Sequence, residues 1–277
     1  MASSDPLVVS MTVPGPALQS LPGSTEVPVR VYTPVLDPWA TLVWAHGGSF
    51  VRGTLDWPEA DWVSRQFADS GIRVISVDYV LASDTVKAPA PSNDVAAVVA
   101  WAAAEYTTPL VVGGASAGGH LAVLATLNQV DRQGARQAQA LLLEYPTLHR
   151  VQRDHAVVAA ATSQLPEQRR FGPERIAEMY EYYLGETGAP IAGELPASRL
   201  ALLPPTIIVN ADADDLRVSA EEFAEQLRAA GVTVSETVQA GTVHGYMNRP
   251  DESAQALSDA TATIARFVNE LRTVLVH

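Results

Sequence analysis

The stretch Leu110-Val-Val-Gly-Gly-Ala-Ser-Ala-Gly-Gly-His120 constrains this chain more than any other. An apolar, β-branched run stops at glycine, presents one serine, and passes into small and aliphatic residues with a helical pattern reaching Val130. The order is strand, sharp turn, helix. Ser116 lies at the centre of Gly114-Ala115-Ser116-Ala117-Gly118, the G-x-S-x-G pattern in which a strained turn holds a nucleophilic hydroxyl clear of a sheet edge. Without a Cβ at 114 or 118, strand and helix can approach closely enough for the serine to take an unfavourable backbone conformation.

The rest of the chain repeats that alternation. Thr41 to Ala45, Ile72 to Val77, Gln139 to Glu144 and Thr206 to Asn210 read as continuous apolar strands, Val27 to Tyr32 alternates, and Val232 to Val238 is a further strand. Between them lie helices: Trp57 to about Asp69 capped by Asp56, Asp94 to Ala104, Ser219 to Ala230 with Ser219 and Glu222 as a capping box, and about Glu252 to Leu275. Strands alternating with helices imply an α/β fold with a mostly parallel sheet covered on both faces and functional residues on loops at the strands' C-terminal ends. Two segments break the rhythm. Residues 1–25 hold four prolines and suit an extended arm or hairpin, while residues from roughly 148 to 203 carry Tyr180, Tyr182 and Tyr183 on a helix begun near Pro173.

Composition narrows the chemistry. A chain of 277 residues that is 47% hydrophobic is ample for one large α/β domain with an insertion. Eighteen basic against 31 acidic residues, with no basic run in the sequence, argue against a nucleic-acid partner, and no stretch approaches a membrane span. The N-terminus has neither a basic n-region nor an apolar h-region, so a cytoplasmic location is expected. With no cysteine, chemistry must rest on oxygen and imidazole. The histidines lack H-x-x-x-H spacing and neither glycine stretch gives a phosphate-binding pattern, so no metal or other cofactor is implied.

A serine hydroxyl needs a base to take its proton as it attacks. Of six histidines, His277 is terminal, His120 should point into packing, and His149 and His155 fall in the insertion. His46 sits in a glycine loop that it more plausibly braces, which leaves His244, on the glycine-flanked loop after the last strand. The carboxylate that orients it should come between serine and histidine in chain order. Asp212, Asp214 and Asp215 all qualify, and spacing does not choose among them. Unobstructed N–H groups at Gly47 and Gly48, with that of Ala117, could converge on the oxygen that becomes negative. Phe50, Tyr145 and Tyr246, next to these loops, are candidate substrate contacts.

With these residues assembled, the chain resembles the hormone-sensitive-lipase-like esterases and lipases of the α/β-hydrolase fold over nearly its whole length. Besides the two glycine motifs, the likeness includes Val27 to Pro34, Ser49 to Asp56, Val77 to Ala82 and His244-Gly-Tyr246. The family's acid motif matches Asp214-Asp215-Leu216-Arg217-Val218, which selects Asp214. The chain departs at Ala115, where the family has an acidic residue, at Ser49, in place of a further glycine, and at Val218, in place of a second aspartate. The resemblance implies a carboxylesterase with Ser116, His244 and Asp214 as triad, and a small helical cap made by residues 1–25 and 148–203. It implies a small-molecule ester as partner and is compatible with a homo-oligomer. A neutral, short to medium acyl chain is expected, since the cap is short and no basic residue is obviously placed to receive an anion. An amidase or arylformamidase would use the same triad, and a non-catalytic ligand-binding relative would have lost part of it.

Overall fold

The computed structural model describes residues 5–275, so Met1 to Ser4, Val276 and His277 lie outside the described residues. Eight strands among these residues form one sheet: β1 (Leu7–Pro14), β2 (Glu26–Thr33), β3 (Ala40–Ala45), β4 (Ile72–Val77), β5 (Leu110–Ala115), β6 (Ala140–Glu144), β7 (Thr206–Ala213) and β8 (Val234–Val243), in the order β1-β2-β4-β3-β5-β6-β7-β8. From β4 to β8 every pairing is parallel; β2 runs antiparallel to both β1 and β4. The helices are α1 (Asp61–Asp69), α2 (Ala90–Glu105), α3 (Ala117–Asp131), α4 (Ala156–Thr162), α5 (Pro173–Leu184), α6 (Ala197–Leu200), α7 (Arg217–Ala229) and α8 (Ala254–Leu275).

Side-chain alternation along each buried strand builds two cores at once. Val43 and Ala45 of β3 and Leu141 and Leu143 of β6 face the layer of α2, α3 and α7. Leu42 and Trp44, with Leu142, face α1 and α8, where Phe67 and Phe267 pack. Covering both faces explains why these strands read as unbroken apolar runs, each fully buried leucine contributing about 1.5–3 kcal/mol over an exposed one.

Two local expectations are corrected. The first helix starts at Asp61, not Trp57, because Pro58 disfavours helical backbone at the residue before it; Thr54 to Ala60 form turns, and Asp56 pairs with Arg30 instead of capping. The Ser219 hydroxyl caps nothing: α7 begins two residues earlier, and this buried side chain accepts the N–H groups of Leu148 and His149. The described residues 5–25 stand at the sheet edge, away from Ser116. Residues 7–14 pair with β2 along their full length, Asp94 ties down Ser24, and no described residue of 5–25 lines the crevice at Ser116.

Candidate active site

Ser116, Asp214 and His244 each follow directly on the last residue of a strand: β5, β7 and β8. Parallel pairing delivers all three ends to one edge of the sheet. Ser116 has φ 52° and ψ −117°, an unfavourable conformation for a residue with a side chain. The fold holds it there: its N–H donates to the Glu144 carbonyl (2.9 Å) and its own carbonyl accepts from Gly119 (3.1 Å). A Cβ at Gly118 would overlap the Ala45 and His46 carbonyl oxygens, so the glycine is required by space.

Ser116 Oγ lies 2.9 Å from His244 Nε2, and His244 Nδ1 lies 2.7 Å from Asp214 Oδ2. An ionised carboxylate only accepts, so Nδ1 carries the proton and the Nε2 lone pair faces the serine. The buried Asp214 is fixed in turn by the Leu216 N–H on its other oxygen (2.9 Å). The imidazole is wedged between Tyr145 and Phe171, each ring centroid 4.8 Å away. The other two aspartates are engaged elsewhere. Asp212 accepts from Gly241 N–H and pairs with Arg217; Asp215 takes a bidentate Arg170 and the Phe171 N–H. Burial opposes ionisation of Asp215, but these two partners outweigh it and hold its carboxyl below the usual range.

The oxyanion expectation needs one change. The Gly47 N–H is not free: it donates to Glu59 Oε2 at 2.5 Å, a carboxylate whose other oxygen accepts the Tyr145 hydroxyl. Among the described residues the N–H groups of Gly48 and Ser49 meet no acceptor, both residues line the crevice beside Ser116, and the Ala117 N–H opens α3 where no intrahelical partner exists. His46 braces this loop as expected: it is fully buried, Nδ1 donates to the Gly47 carbonyl (2.7 Å), and its ring stacks on Tyr79 at 4.6 Å. His120 points into packing against Phe50, Tyr180 and Tyr183, where burial, with His149 adding to it, pushes its pKa down to about 3.

The three aromatic candidates do not line the crevice. Phe50, at φ 67°, turns its ring into the core and stacks on Tyr183 at 3.9 Å. Tyr145 stands behind the imidazole with its hydroxyl spent on Glu59, and Tyr246 is buried with its hydroxyl on Thr263. The space at Ser116, about 220 Å³, is walled instead by Phe171, Trp57 and Asn248 and by Arg52, Arg169, Arg175 and Arg249. None of these stood out in the sequence, because they come from three separate segments of the chain.

Glu144, beneath the serine turn, is completely buried, with the Tyr246 hydroxyl as its side-chain hydrogen-bonding neighbour. Burial pushes its pKa well above the ordinary 4.5, with the Glu59 and Asp214 charges adding to the effect. The folded protein therefore keeps a proton that the unfolded chain releases above that value, and stability drains away as pH rises, by up to about 1.4 kcal/mol per pH unit. Glu144→Gln should flatten this slope: the loss in urea-unfolding free energy between pH 5 and pH 8 should shrink by at least about 1 kcal/mol. Equal losses in both proteins would refute it.

The comparisons with known proteins agree with this geometry. Residues 42–248 match the model of a family described by its alpha/beta hydrolase fold. The chain belongs to the α/β-hydrolase family. Within it, the chain falls with the hormone-sensitive-lipase-like esterases and lipases that its motifs resemble. It is 30% identical over 257 residues to the carboxylic ester hydrolase LipN of Mycobacterium tuberculosis, covering 87% of this chain but 64% of that protein. It is 32% identical over 248 residues to the carboxylesterase NlhH of the same organism, covering 82% and 73%. The esterase of Pyrobaculum calidifontis superposes with a TM-score of 0.79 at 26% identity, over 96% of this chain and 86% of that one. No helix among the described residues is long and apolar enough to cross a membrane.

Proposed function

We propose that this α/β-hydrolase cleaves carboxylic esters through an acyl-enzyme intermediate. Ser116 Oγ attacks the ester carbonyl carbon while His244 Nε2 takes its proton, and Asp214 stabilises the imidazolium. The negative oxygen of the tetrahedral adduct accepts from Gly48, Ser49 and Ala117 N–H groups. Collapse expels the alcohol, which leaves with the proton from His244. Water then repeats the sequence on the acyl-enzyme, releasing the acid and restoring Ser116. The observation that carries this reading is the unbroken contact chain from Ser116 through His244 to Asp214, at 2.9 and 2.7 Å. LipN and NlhH, each 30% identical or more, are named as ester hydrolases, which supports it. The 220 Å³ beside Ser116 suits a short to medium acyl group. We read residues 148–203 as the cap, since Phe171, Arg169 and Arg175 wall that space.

A fluorophosphonate tests the nucleophile without presuming a substrate. One equivalent should add per chain, and peptide mass spectrometry should place it on Ser116. Labelling elsewhere, or none at a rate above that of Ser116→Ala, would remove Ser116 from the role.

A further inference from the structure

The charge of the crevice runs against the expectation of a neutral substrate. Four arginines, Arg52, Arg169, Arg175 and Arg249, line the same small space as Ser116 and His244, against one carboxylate, Glu59. That carboxylate is already held by the Gly47 N–H and the Tyr145 hydroxyl. The chain as a whole has 18 basic and 31 acidic residues, so the concentration of positive charge at this mouth runs against the composition.

The arginines are also short of partners. Arg169 and Arg249 share a single carboxylate, Glu252, each at 3.4 Å. Among the described residues Arg52 and Arg175 pair with no carboxylate. Arg175 is nevertheless held in place: its Nη1 donates to the Arg170 carbonyl at 2.6 Å and its guanidinium lies over the Phe171 ring at 4.4 Å. Arg249 donates to the carbonyl of His244 itself, at 3.0 Å. Burial lowers the pKa of Arg249, and Arg169 lowers it further, with the shared Glu252 opposing the shift only in part. Beside the crevice, Arg52, Arg175, Ser49 and Phe171 also wall a second space of about 520 Å³ with apolar sides from Val51, Met179 and Tyr182 and one carboxylate, Glu178. Arg52 and Arg175 thus stand where the two spaces join.

Guanidinium groups receive carboxylates through paired N–H donors, and like charges focused in a cleft raise the local concentration of an oppositely charged substrate. We propose that the substrates of this enzyme are esters that carry a carboxylate, received by Arg52 and Arg175 with the reacting ester at Ser116. This rests on the esterase reading above and specifies its substrate class.

Two matched pairs place the charge on either side of the ester: 4-acetoxybenzoate against its methyl ester, and monoethyl adipate against ethyl heptanoate. In at least one pair kcat/KM should favour the anion by roughly tenfold at low ionic strength, a preference that shrinks with added sodium chloride. The double variant Arg52→Gln/Arg175→Gln should bring that ratio towards one, while Arg228→Gln, at a surface pair with Glu236, should leave it as it was. Parity or a neutral preference in both pairs, with phenyl acetate still hydrolysed, would overturn the proposal and spare the esterase reading. A preference that survives the double variant would overturn it too. Calorimetry on Ser116→Ala with terephthalate gives a readout free of turnover: binding should weaken at least about fivefold when Arg52→Gln/Arg175→Gln are added, since exposed charge contacts are individually modest. Unchanged binding would reject the site even if no ester were ever turned over.

Discussion

Replacing Ser116 with alanine should lower kcat for phenyl acetate by a factor on the order of 10⁴ to 10⁶, leaving KM within a few-fold of its original value. The effect is confined to kcat because the hydroxyl does little for ground-state binding and everything for bond formation. Alanine also fits the site. The strain at φ 52° belongs to the backbone, and removing Oγ leaves the backbone hydrogen bonds to the Glu144 carbonyl and from the Gly119 N–H in place, so the variant should melt close to wild type. Comparable turnover in both proteins would end the enzyme reading outright.

Asp214→Asn comes next in size, with an expected loss of about 10³- to 10⁴-fold in kcat. An amide can present an N–H where the carboxylate accepts, which turns the imidazole to the tautomer whose proton, and not its lone pair, faces Ser116. The two neighbouring aspartates make the internal control. Asp212→Asn weakens contacts with Arg217 and Gly241, and Asp215→Asn weakens the Arg170 pair, so each should cost stability or loop order more than chemistry. A larger kcat loss from Asp212→Asn than from Asp214→Asn would reassign the acid.

Those three aspartates also show where sequence reading stops. Strand order and the alternation of buried runs could be read because Leu110 to Ala115 or Thr206 to Asn210 admit little else than a strand covered on both faces. Position within a turn could not. A register shift between Ala211 and Ala213 breaks the β7–β8 ladder just before Asp214, an irregularity that composition does not reveal. The resemblance to esterases pointed to Asp214; spacing alone left three choices. The same limit explains Gly47. Its N–H looked available until the fold brought up Glu59 twelve residues away, and Phe50 looked like a pocket wall until a positive φ turned it inward. The arginine cluster is the extreme case: positions 52, 169, 175 and 249 form no run, so a chain without a basic stretch still builds a basic mouth.

The base hangs from β8, the outermost strand of the sheet, which has β7 alone for a ladder partner and stays half-buried along most of its length. The nucleophile, by contrast, is anchored at the centre. Local opening is cheapest at such a margin, so a modest fraying there detaches proton acceptor from hydroxyl while both cores remain folded. Turnover in this protein is therefore a gauge of its rim, and silence of the catalyst says little about the integrity of the interior.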